Sequence, residues 1–172
     1  MPIIAAEPLR AVVRAMCSAA GSTEYEAELV ADNLVMANLS GHDSHGVGML
    51  PAYFDNLHAG GLKVNQHAEV VRDEGAVLVV DGNAGFGQVI GKESMDIAIA
   101  RAKERGVCVL AIRNSHHLCR IGAWAEQCAA AGLVSMHHTN VTGHGGIVAP
   151  FRGSDGRYVT NPYTAVLSLI HI

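Results

Sequence analysis

Charged and aromatic side chains are scarce in this sequence. Charged residues make up 16% of the 172 residues and aromatic residues 5%, and 12 basic against 16 acidic residues give a net charge of −4. Because there is no basic run, we expect neither a nucleic acid nor an anionic membrane surface as a partner. No apolar run approaches the roughly 18 residues of a membrane helix, and the start lacks the pattern of a secretion signal. These absences together predict a cytoplasmic protein.

Cysteine pairs with a recognisable spacing are also missing. The four cysteines, Cys17, Cys108, Cys119 and Cys128, contain no Cys-x-x-Cys motif. With 49% hydrophobic residues the chain can bury a sizeable core, so a disulfide framework is unnecessary and we expect reduced thiols. The length fits one domain, or a small domain with an arm.

Residues 1–63 are predicted to form a helical N-terminal part. Apolar side chains recur at helical spacing in residues 7–20, and a second helix follows Thr23, whose spacing to Glu26 is that of a capping box. A third helical stretch is predicted at residues 47–58, where a pair of glycines ends it.

Residues 64–165 are predicted to form an α/β core. Helical segments alternate there with strands, which are predicted at residues 68–71, 76–80, 107–112 and 133–137. This alternation is typical of a sheet with at least partly parallel pairing. The run at residues 107–112 is apolar throughout, so we expect that strand to be buried on both faces.

The last segment, residues 166–172, is an apolar string without a turn, a cap or a polar exit. If exposed, it would be an unpaired edge prone to association. We therefore expect an incomplete domain with a tail that is truncated or not native coding sequence.

Two polar motifs contain histidines. Asn114-Ser115-His116-His117 follows the predicted strand at residues 107–112, and Gly41-His42-Asp43-Ser44-His45-Gly46 interrupts the helical part. Histidine has an unperturbed pKa of about 6.5, so these motifs favour a site that transfers protons near neutral pH. Hydrogen-bonded structural histidines in turns or on the surface are the alternative.

A glycine-rich turn, Gly85-x-Gly87, follows the predicted strand at residues 76–80, as in a dinucleotide-binding fingerprint. The third glycine expected three positions later is Ile90, and the next strand leads to Arg113 where an acid would bind the ribose. We therefore predict a strand-to-helix turn and not a Rossmann fold.

A metal site and a serine nucleophile are two further alternatives. No His-Glu-x-x-His or Cys-x-x-Cys motif is present, and adjacent histidines on a strand point to opposite faces, so we expect no metal. Ser44 and Ser115 each precede a histidine, but sequence neighbours rarely face each other as a catalytic pair requires. Gly-x-Ser-x-Gly, the usual nucleophile motif, does not occur.

Three groups of residues follow one another in a characteristic order. They are residues 37–51 around Ser44-His45-Gly46, then Asn114-Ser115-His116-His117 with Arg120-Ile121-Gly122, then Val148-Ala149-Pro150-Phe151 with Thr160-Asn161-Pro162. In this order they resemble the malate/L-lactate dehydrogenase family, the non-Rossmann group that includes ureidoglycolate, sulfolactate and hydroxycarboxylate dehydrogenases, the last being the nearest. The resemblance covers the N-terminal half of a family member.

The resemblance implies an NAD(P)-dependent oxidoreductase that interconverts a 2-hydroxy acid and its 2-oxo acid by hydride transfer. It implies NAD or NADP as the cofactor, a small hydroxy or oxo acid as the substrate, and a homodimer. The implied fold is a helical N-terminal part followed by a mixed-sheet α/β/α core. This agrees with the helix-first order of the predicted elements.

The resemblance also implies functions for individual residues. His116 would be the general base that takes the hydroxyl proton as hydride leaves, and the acid in the reverse direction; such a group contributes about 10² to 10⁴ in rate. Ser44 and His45 would act beside it in the catalytic pocket, with Tyr53 and Arg120 as substrate contacts. The implied cofactor contacts are His117, Asn140, Thr160 and Asn161.

Three positions depart from the family pattern. Met49 stands where many members have an arginine, a natural clamp for a carboxylate. The arginines that could replace it are Arg120, Arg152 and Arg157. Cys119 and Val159 each stand where the family usually has a glycine. An inactive remnant that only dimerises or binds a small acid is therefore the alternative function.

Overall fold

The structure, a computed structural model, describes residues 3–143 and 145–167, so most of the expected tail lies outside the described residues. The helices are α1 (Ala6–Ala19), α2 (Glu24–Leu39), α3 (Leu50–His58), α4 (Gly87–Arg105) and α5 (Gly122–Ala130). The strands are β1 (Glu69–Glu74), β2 (Val77–Asp81), β3 (Val109–Arg113), β4 (Ser135–His138) and β5 (Tyr163–Val166). Two short 3-10 turns, Asp43–His45 and Val47–Met49, precede α3.

The chain divides into two compact units, the first ending at Arg120 and the second beginning at Ile121. The first unit contains α1 to α4 and β1 to β3, and the second contains α5, β4 and β5. The boundary predicted after residue 63 falls inside the first unit, where helices give way to strands. As a domain boundary it stays a prediction.

The helices α1 and α2 supply much of the hydrophobic core of the first unit. Val13 and Cys17 of α1 and Val30 and Leu34 of α2 are at most 1% exposed. Full burial of an aliphatic side chain of this size contributes about 1.5–3 kcal/mol, so a few such contacts fix the helix pair. The core continues through Leu50, Tyr53, Leu62, Phe86 and Val89. The helical N-terminal part predicted from the sequence is confirmed.

The third helix begins later than predicted. Its regular turns start at Leu50, and residues 47–49 form a 3-10 turn instead. Pro51 lies in the first turn of α3, where the missing N–H and the fixed φ of proline are tolerated. A proline further inside the helix would break it, so α3 cannot extend far towards residue 47.

Thr23 caps α2, but only one side of the predicted capping box forms. The Thr23 hydroxyl accepts a hydrogen bond from the Glu26 N–H at 3.4 Å. The Glu26 carboxylate does not return to Thr23; it accepts from the Ser22 hydroxyl at 2.7 Å and from the Asn65 N–H at 2.8 Å. Glu26 is 1% exposed, and it ties the start of α2 to the segment that follows α3.

The strands β1, β2 and β3 form one mixed sheet with β2 at its centre. β1 pairs antiparallel with β2, and β2 pairs parallel with β3, where Asp81 lies opposite Arg113. Leu78 and Val80 of β2 are fully buried. The partly parallel pairing predicted from the sequence is therefore confirmed, and the fold is mixed α/β.

The prediction that β3 is buried on both faces was wrong. Val109 is 59% exposed, and exposed side chains alternate with half-buried ones along the strand. Within the described residues β3 pairs only with β2, and α4 contacts it. The alternation is typical of a strand with one covered face.

The second unit consists of α5 and an antiparallel pair of strands. Ser135 of β4 pairs with Val166 of β5, and His138 pairs with Tyr163. Trp124, Ala125 and Cys128 form the buried side of α5. The strand predicted at residues 133–137 begins two residues later than expected.

The described part of the chain, residues 3–143 and 145–167, contains no helix with the length and apolar character needed to cross a membrane. None of the four cysteines, all within the described residues, forms a disulfide, and Cys17, Cys119 and Cys128 are buried.

Candidate active site

The carboxyl end of β3 leads directly into the histidine turn. The strand ends at Arg113, and Asn114 then adopts a left-handed conformation with φ of 51°. The Asn114 amide donates to the Asp81 carboxylate at 3.0 Å, and Asp81 also accepts from the Arg113 guanidinium at 2.8 Å. Asparagine tolerates the left-handed region better than most residues, so it can turn the chain sharply here. His116 and His117 follow just beyond the strand.

The glycine-rich turn at residues 82–87 lies directly against the histidine turn. The Gly85 carbonyl accepts from the His116 N–H at 3.1 Å, and the Ala84 N–H donates to the Asn114 carbonyl at 2.7 Å. A Cβ on Gly87 would lie 2.0 Å from the His117 carbonyl oxygen, far inside contact distance. Gly87 is therefore required for close backbone approach. This contact accounts for Gly87 without a dinucleotide fingerprint.

A line of hydrogen bonds connects α4 to His117 through α3. The Gln88 amide nitrogen donates to the Tyr53 hydroxyl at 3.0 Å, and the Tyr53 hydroxyl lies 2.8 Å from Nδ1 of His117. Gln88 and Tyr53 are each 1% exposed. Tyr53 was predicted to contact the substrate, and in the structure its hydroxyl contacts His117.

His45 lies beside His117, and Ser44 contacts His45. The Ser44 hydroxyl is 2.9 Å from Nδ1 of His45, and the rings of His45 and His117 are 5.1 Å apart between centroids. Asn38 fixes this turn, because its side-chain oxygen Oδ1 accepts a hydrogen bond from the Val47 N–H at 2.9 Å. Its amide nitrogen also donates to Asp43 at 2.6 Å. The two histidine motifs, separated by about seventy residues in the sequence, meet in one cluster.

Cys119 holds the two motifs together. Its thiol donates to the His45 carbonyl at 2.8 Å, and its side chain is buried. Cys119 has a φ of 59°, in the left-handed region that favours glycine, which agrees with the glycine that the resemblance implied for this position. Burial raises the pKa of the Cys119 thiol to about 11, so it stays protonated and unreactive near neutral pH.

The histidines of the cluster are held neutral. Burial lowers the pKa of His116. Burial also lowers the pKa of His117, to about 4, and the nearby imidazoles of His45 and His116 add to this effect. Burial, with a smaller effect of His42, also lowers the pKa of His45. Transfer of a charged imidazole out of water is unfavourable, and like charges nearby add to the cost. All three rings are therefore uncharged at neutral pH.

His116 packs edge-on against Tyr53, with ring centroids 5.3 Å apart and an interplanar angle of 82°. Its Nδ1 atom is buried and has no hydrogen-bond partner among the described residues. The ring nitrogen that a small molecule could reach is thus Nε2. The arrangement gives His116 a fixed ring and one accessible basic nitrogen.

The three arginines that could replace the one missing at Met49 are distributed over both units. Arg120 is half-buried at the end of the first unit, and its charge lowers the pKa of the Cys119 thiol, which opposes the effect of burial. Met49 packs against the hydrophobic core. Arg152 and Arg157 belong to the second unit, where Arg157 pairs with Asp155 at 3.1 Å. Arg120 is thus the one of these three arginines in the same unit as the histidines.

The predicted cofactor contacts other than His117 belong to the second unit. The β4–β5 ladder continues past His138 and Tyr163, because the Thr139 N–H donates to the Pro162 carbonyl at 3.1 Å. Asn140 and Asn161 therefore leave the ladder at the same end, next to Thr160. Amide and hydroxyl groups are a donor set that fits the ribose and carboxamide of a nicotinamide nucleotide.

Two residues of the cluster were not predicted from the sequence, Gln88 and Asn38. Gln88 could have been noticed as a polar side chain in an apolar run between Phe86 and Val89. Asn38 lies at the end of α2 and gives no comparable signal.

Among the described residues no group of three or more His, Cys, Asp or Glu side chains is placed to hold a metal ion.

Comparisons with known proteins agree with the motifs. A sequence profile of the malate/L-lactate dehydrogenase family matches residues 4–168. Hydroxycarboxylate dehydrogenase B from Escherichia coli (strain K12) is 48% identical over 161 residues, which are 94% of this chain and 44% of that protein.

Solved structures of the same family have the same fold. Sulfolactate dehydrogenase from Methanocaldococcus jannaschii is 32% identical with a TM-score of 0.87, and the match covers 96% of this chain and 47% of that one. Malate dehydrogenase from Pyrococcus horikoshii OT3 is 34% identical with a TM-score of 0.86, covering 95% and 46%. The chain spans less than half the length of these relatives. The resemblance inferred from the motifs is confirmed, and this chain belongs to the malate/L-lactate dehydrogenase family.

Proposed function

We propose that this protein is an NAD(P)-dependent oxidoreductase that interconverts a 2-hydroxy acid and its 2-oxo acid, with His116 as the general acid and base. The observation that carries the proposal is the seating of the His116–His117 turn on the glycine-rich turn, with Ser44, His45 and Tyr53 gathered around it. Such a fixed group of neutral imidazoles suits proton transfer.

His116 has the properties of a base for alcohol oxidation. Its lowered pKa keeps the imidazole neutral, so Nε2 can accept the hydroxyl proton while hydride leaves the carbon. In the reverse direction the protonated ring returns the proton to the carbonyl oxygen. The contact with Tyr53 restricts the ring, which lowers the entropic cost of reaching the reactive arrangement.

Ser44, His45 and Arg120 are the proposed contacts for the acid itself, together with Tyr53. The His45 ring beside His117 and the Ser44 hydroxyl bonded to His45 are polar groups that can bind a hydroxyl or carboxylate oxygen. Arg120 supplies the positive charge that Met49 lacks, since a guanidinium binds a carboxylate through two parallel hydrogen bonds.

Asn140, Thr160 and Asn161 are the proposed residues that hold NAD or NADP. Their amides and hydroxyl can bind the ribose hydroxyls and the carboxamide without a charged partner. The bound nicotinamide would supply the hydride acceptor for oxidation and the hydride donor for reduction. We further propose that the protein acts in the cytoplasm as a homodimer.

The test is an assay of the purified chain with NAD and NADP and a panel of malate, lactate, 2-hydroxyglutarate and their oxo forms. We expect reduced-nicotinamide absorbance to change with at least one acid. A folded protein that binds an acid without turnover would contradict the proposal and favour the inactive binding module. Sedimentation of the same sample tests the dimer.

A further inference from the structure

We propose that Gln88 is a positioning residue that acts through Tyr53 to hold His117 in one tautomer, with the proton on Nε2. In this tautomer His117 is a hydrogen-bond donor for an oxygen atom of the acid substrate, and it cannot compete with His116 as a base. The inference rests on the proposed function of the site. It replaces the cofactor contact that the family resemblance implied for His117.

The direction of each hydrogen bond follows from the donors available. The Gln88 amide nitrogen has only protons to offer, and it donates to the Tyr53 oxygen at 3.0 Å. A phenol has a single proton, which is then left for the other neighbour, Nδ1 of His117 at 2.8 Å. Nδ1 must therefore present its lone pair. A neutral imidazole carries one N–H, so the proton lies on Nε2.

The reverse polarity would need a charge or a flipped amide. A protonated His117 would have an N–H on Nδ1 facing Tyr53, and burial between other imidazoles disfavours that charge. Burial also raises the pKa of Tyr53, so its hydroxyl keeps the proton that it donates. If the Gln88 amide were flipped, its oxygen would accept the Tyr53 proton. The Tyr53 oxygen would then accept a hydrogen bond from Nδ1 of His117, which would carry the proton in the other tautomer. The orientation of one amide thus decides the tautomer.

Gln88 is an unusual residue for its position. It is 1% exposed in the first turn of α4, next to the fully buried Phe86 and Val89. Its carbonyl oxygen has no hydrogen-bond partner among the described residues. A buried amide with an unsatisfied oxygen is unfavourable for folding, so an apolar side chain would stabilise the core better. An apolar residue would reproduce neither the hydrogen bond from the Gln88 amide to Tyr53 nor its hydrogen bond to the Cys119 sulfur.

The tautomer gives the two adjacent histidines different chemistry. His116 touches Tyr53 only through its ring, at 5.3 Å between centroids, and stands outside the line of hydrogen bonds. His117 is committed to donate from Nε2. Its ring lies 5.1 Å from that of His45, whose Nδ1 is 2.9 Å from the Ser44 hydroxyl. A carboxylate or oxo oxygen of the acid is the acceptor that fits these donors.

The direct test is imidazole NMR of the whole chain labelled with nitrogen-15 in histidine. At neutral pH we expect the Nδ1 resonance of His117 at the shift of an unprotonated nitrogen and Nε2 at that of a protonated one. In Gln88→Met and Tyr53→Phe both resonances should move towards the averaged shifts of free imidazole. Asn56→Met is the control, because Asn56 is exposed on α3 and its amide donates to the Ala52 carbonyl at 2.8 Å, and it should leave them unchanged.

Two results would overturn the inference. One is a protonated Nδ1 in the wild-type protein, and the other is an unchanged His117 spectrum in a folded Gln88→Met variant. Binding of oxamate, a non-reducible 2-oxo acid analogue, tests the donor function, since the affinity should fall several-fold in Gln88→Met. Unchanged affinity with a changed tautomer would contradict the substrate contact. If the tautomer is as expected and no acid is turned over, only the proposed function fails.

Discussion

The carbonyl oxygen of His117 lies against Gly87 so closely that an added Cβ would be 2.0 Å from it. The turn that carries the histidines and the first residue of α4 are therefore in direct backbone contact. Neither can shift without moving the other, and this is why the position of the imidazoles depends on a glycine outside the histidine motif.

We predict that Gly87→Ala destabilises the protein and displaces the histidine turn. The new methyl group meets a backbone carbonyl, which cannot rotate away, and overpacking of this kind costs about 1–3 kcal/mol. Urea unfolding measures the loss. Gly48→Ala is the matched control, because a Cβ at Gly48 has no neighbour within 4 Å. Equal stability of the two variants would contradict the close contact.

At Cys119 we predict that glycine is better tolerated than alanine. Both substitutions remove the thiol that bonds to the His45 carbonyl, but alanine keeps the left-handed strain at φ of 59°. A left-handed conformation costs a residue with a Cβ about 1–2 kcal/mol, so Cys119→Gly should be more stable than Cys119→Ala by about 1 kcal/mol. Chemical denaturation of both variants decides the order. A more stable alanine variant would be inconsistent with strain at this position.

Glu26 is predicted to make the fold less stable as the pH rises from the acid side. Burial raises the pKa of its carboxyl above the usual 4.5, although the hydrogen bonds from Ser22 and Asn65 oppose this. The folded state then binds the proton more tightly than the unfolded state. The contribution to stability is therefore full below 4.5 and is lost as the pH rises through the raised pKa.

Thermal unfolding of Glu26→Gln over this pH range isolates the effect. The difference in stability between wild type and Glu26→Gln should change with pH in that window, because the wild type becomes less stable relative to the variant as the pH rises. Glu28→Gln, at an exposed position on the same helix, is the control for the change from Glu to Gln itself. A constant difference for Glu26→Gln would show that the carboxyl titrates normally.

For alcohol oxidation we predict an acid limb of the pH–rate profile below the usual histidine range. The base must be unprotonated, and burial lowers the pKa of His116 from 6.5, so activity should persist to lower pH than an exposed histidine would allow. The profile of kcat/KM against pH measures the limb in the free enzyme. A midpoint above 6.5 would mean that His116 is not the titrating base, or that it gains a negative neighbour.

The spacing of apolar residues predicted which segments form helices and strands better than it predicted what packs against them. The helices around Val13 and Leu34 follow from apolar spacing, and the alternation of strand and helix after residue 64 gives the mixed sheet. Burial of β3 on both faces was wrong, because an apolar run such as that at Val109 does not specify how many strands pair beside it. Pairing is a tertiary property.

The candidate site was partly visible in the sequence. His116, His117, Ser44 and His45 were found because polar residues follow or interrupt apolar segments. Gln88 was missed, since its one local signal is a polar side chain in an apolar stretch and its partner Tyr53 is 35 residues away. The Glu26 side of the capping box at Thr23 does not form for a similar reason, because Asn65, whose N–H donates to the Glu26 carboxylate, comes from a distant segment.

The most direct test of the central claim is the turnover of His116→Ala with the acid and cofactor that the wild type uses. Loss of the general base should reduce kcat by about 10² to 10⁴ while cofactor binding, followed by nucleotide fluorescence, stays close to that of the wild type. His58→Ala, at the exposed end of α3, should retain full activity. A His116→Ala variant with wild-type kcat, or one that loses cofactor binding and turnover equally, would contradict the account.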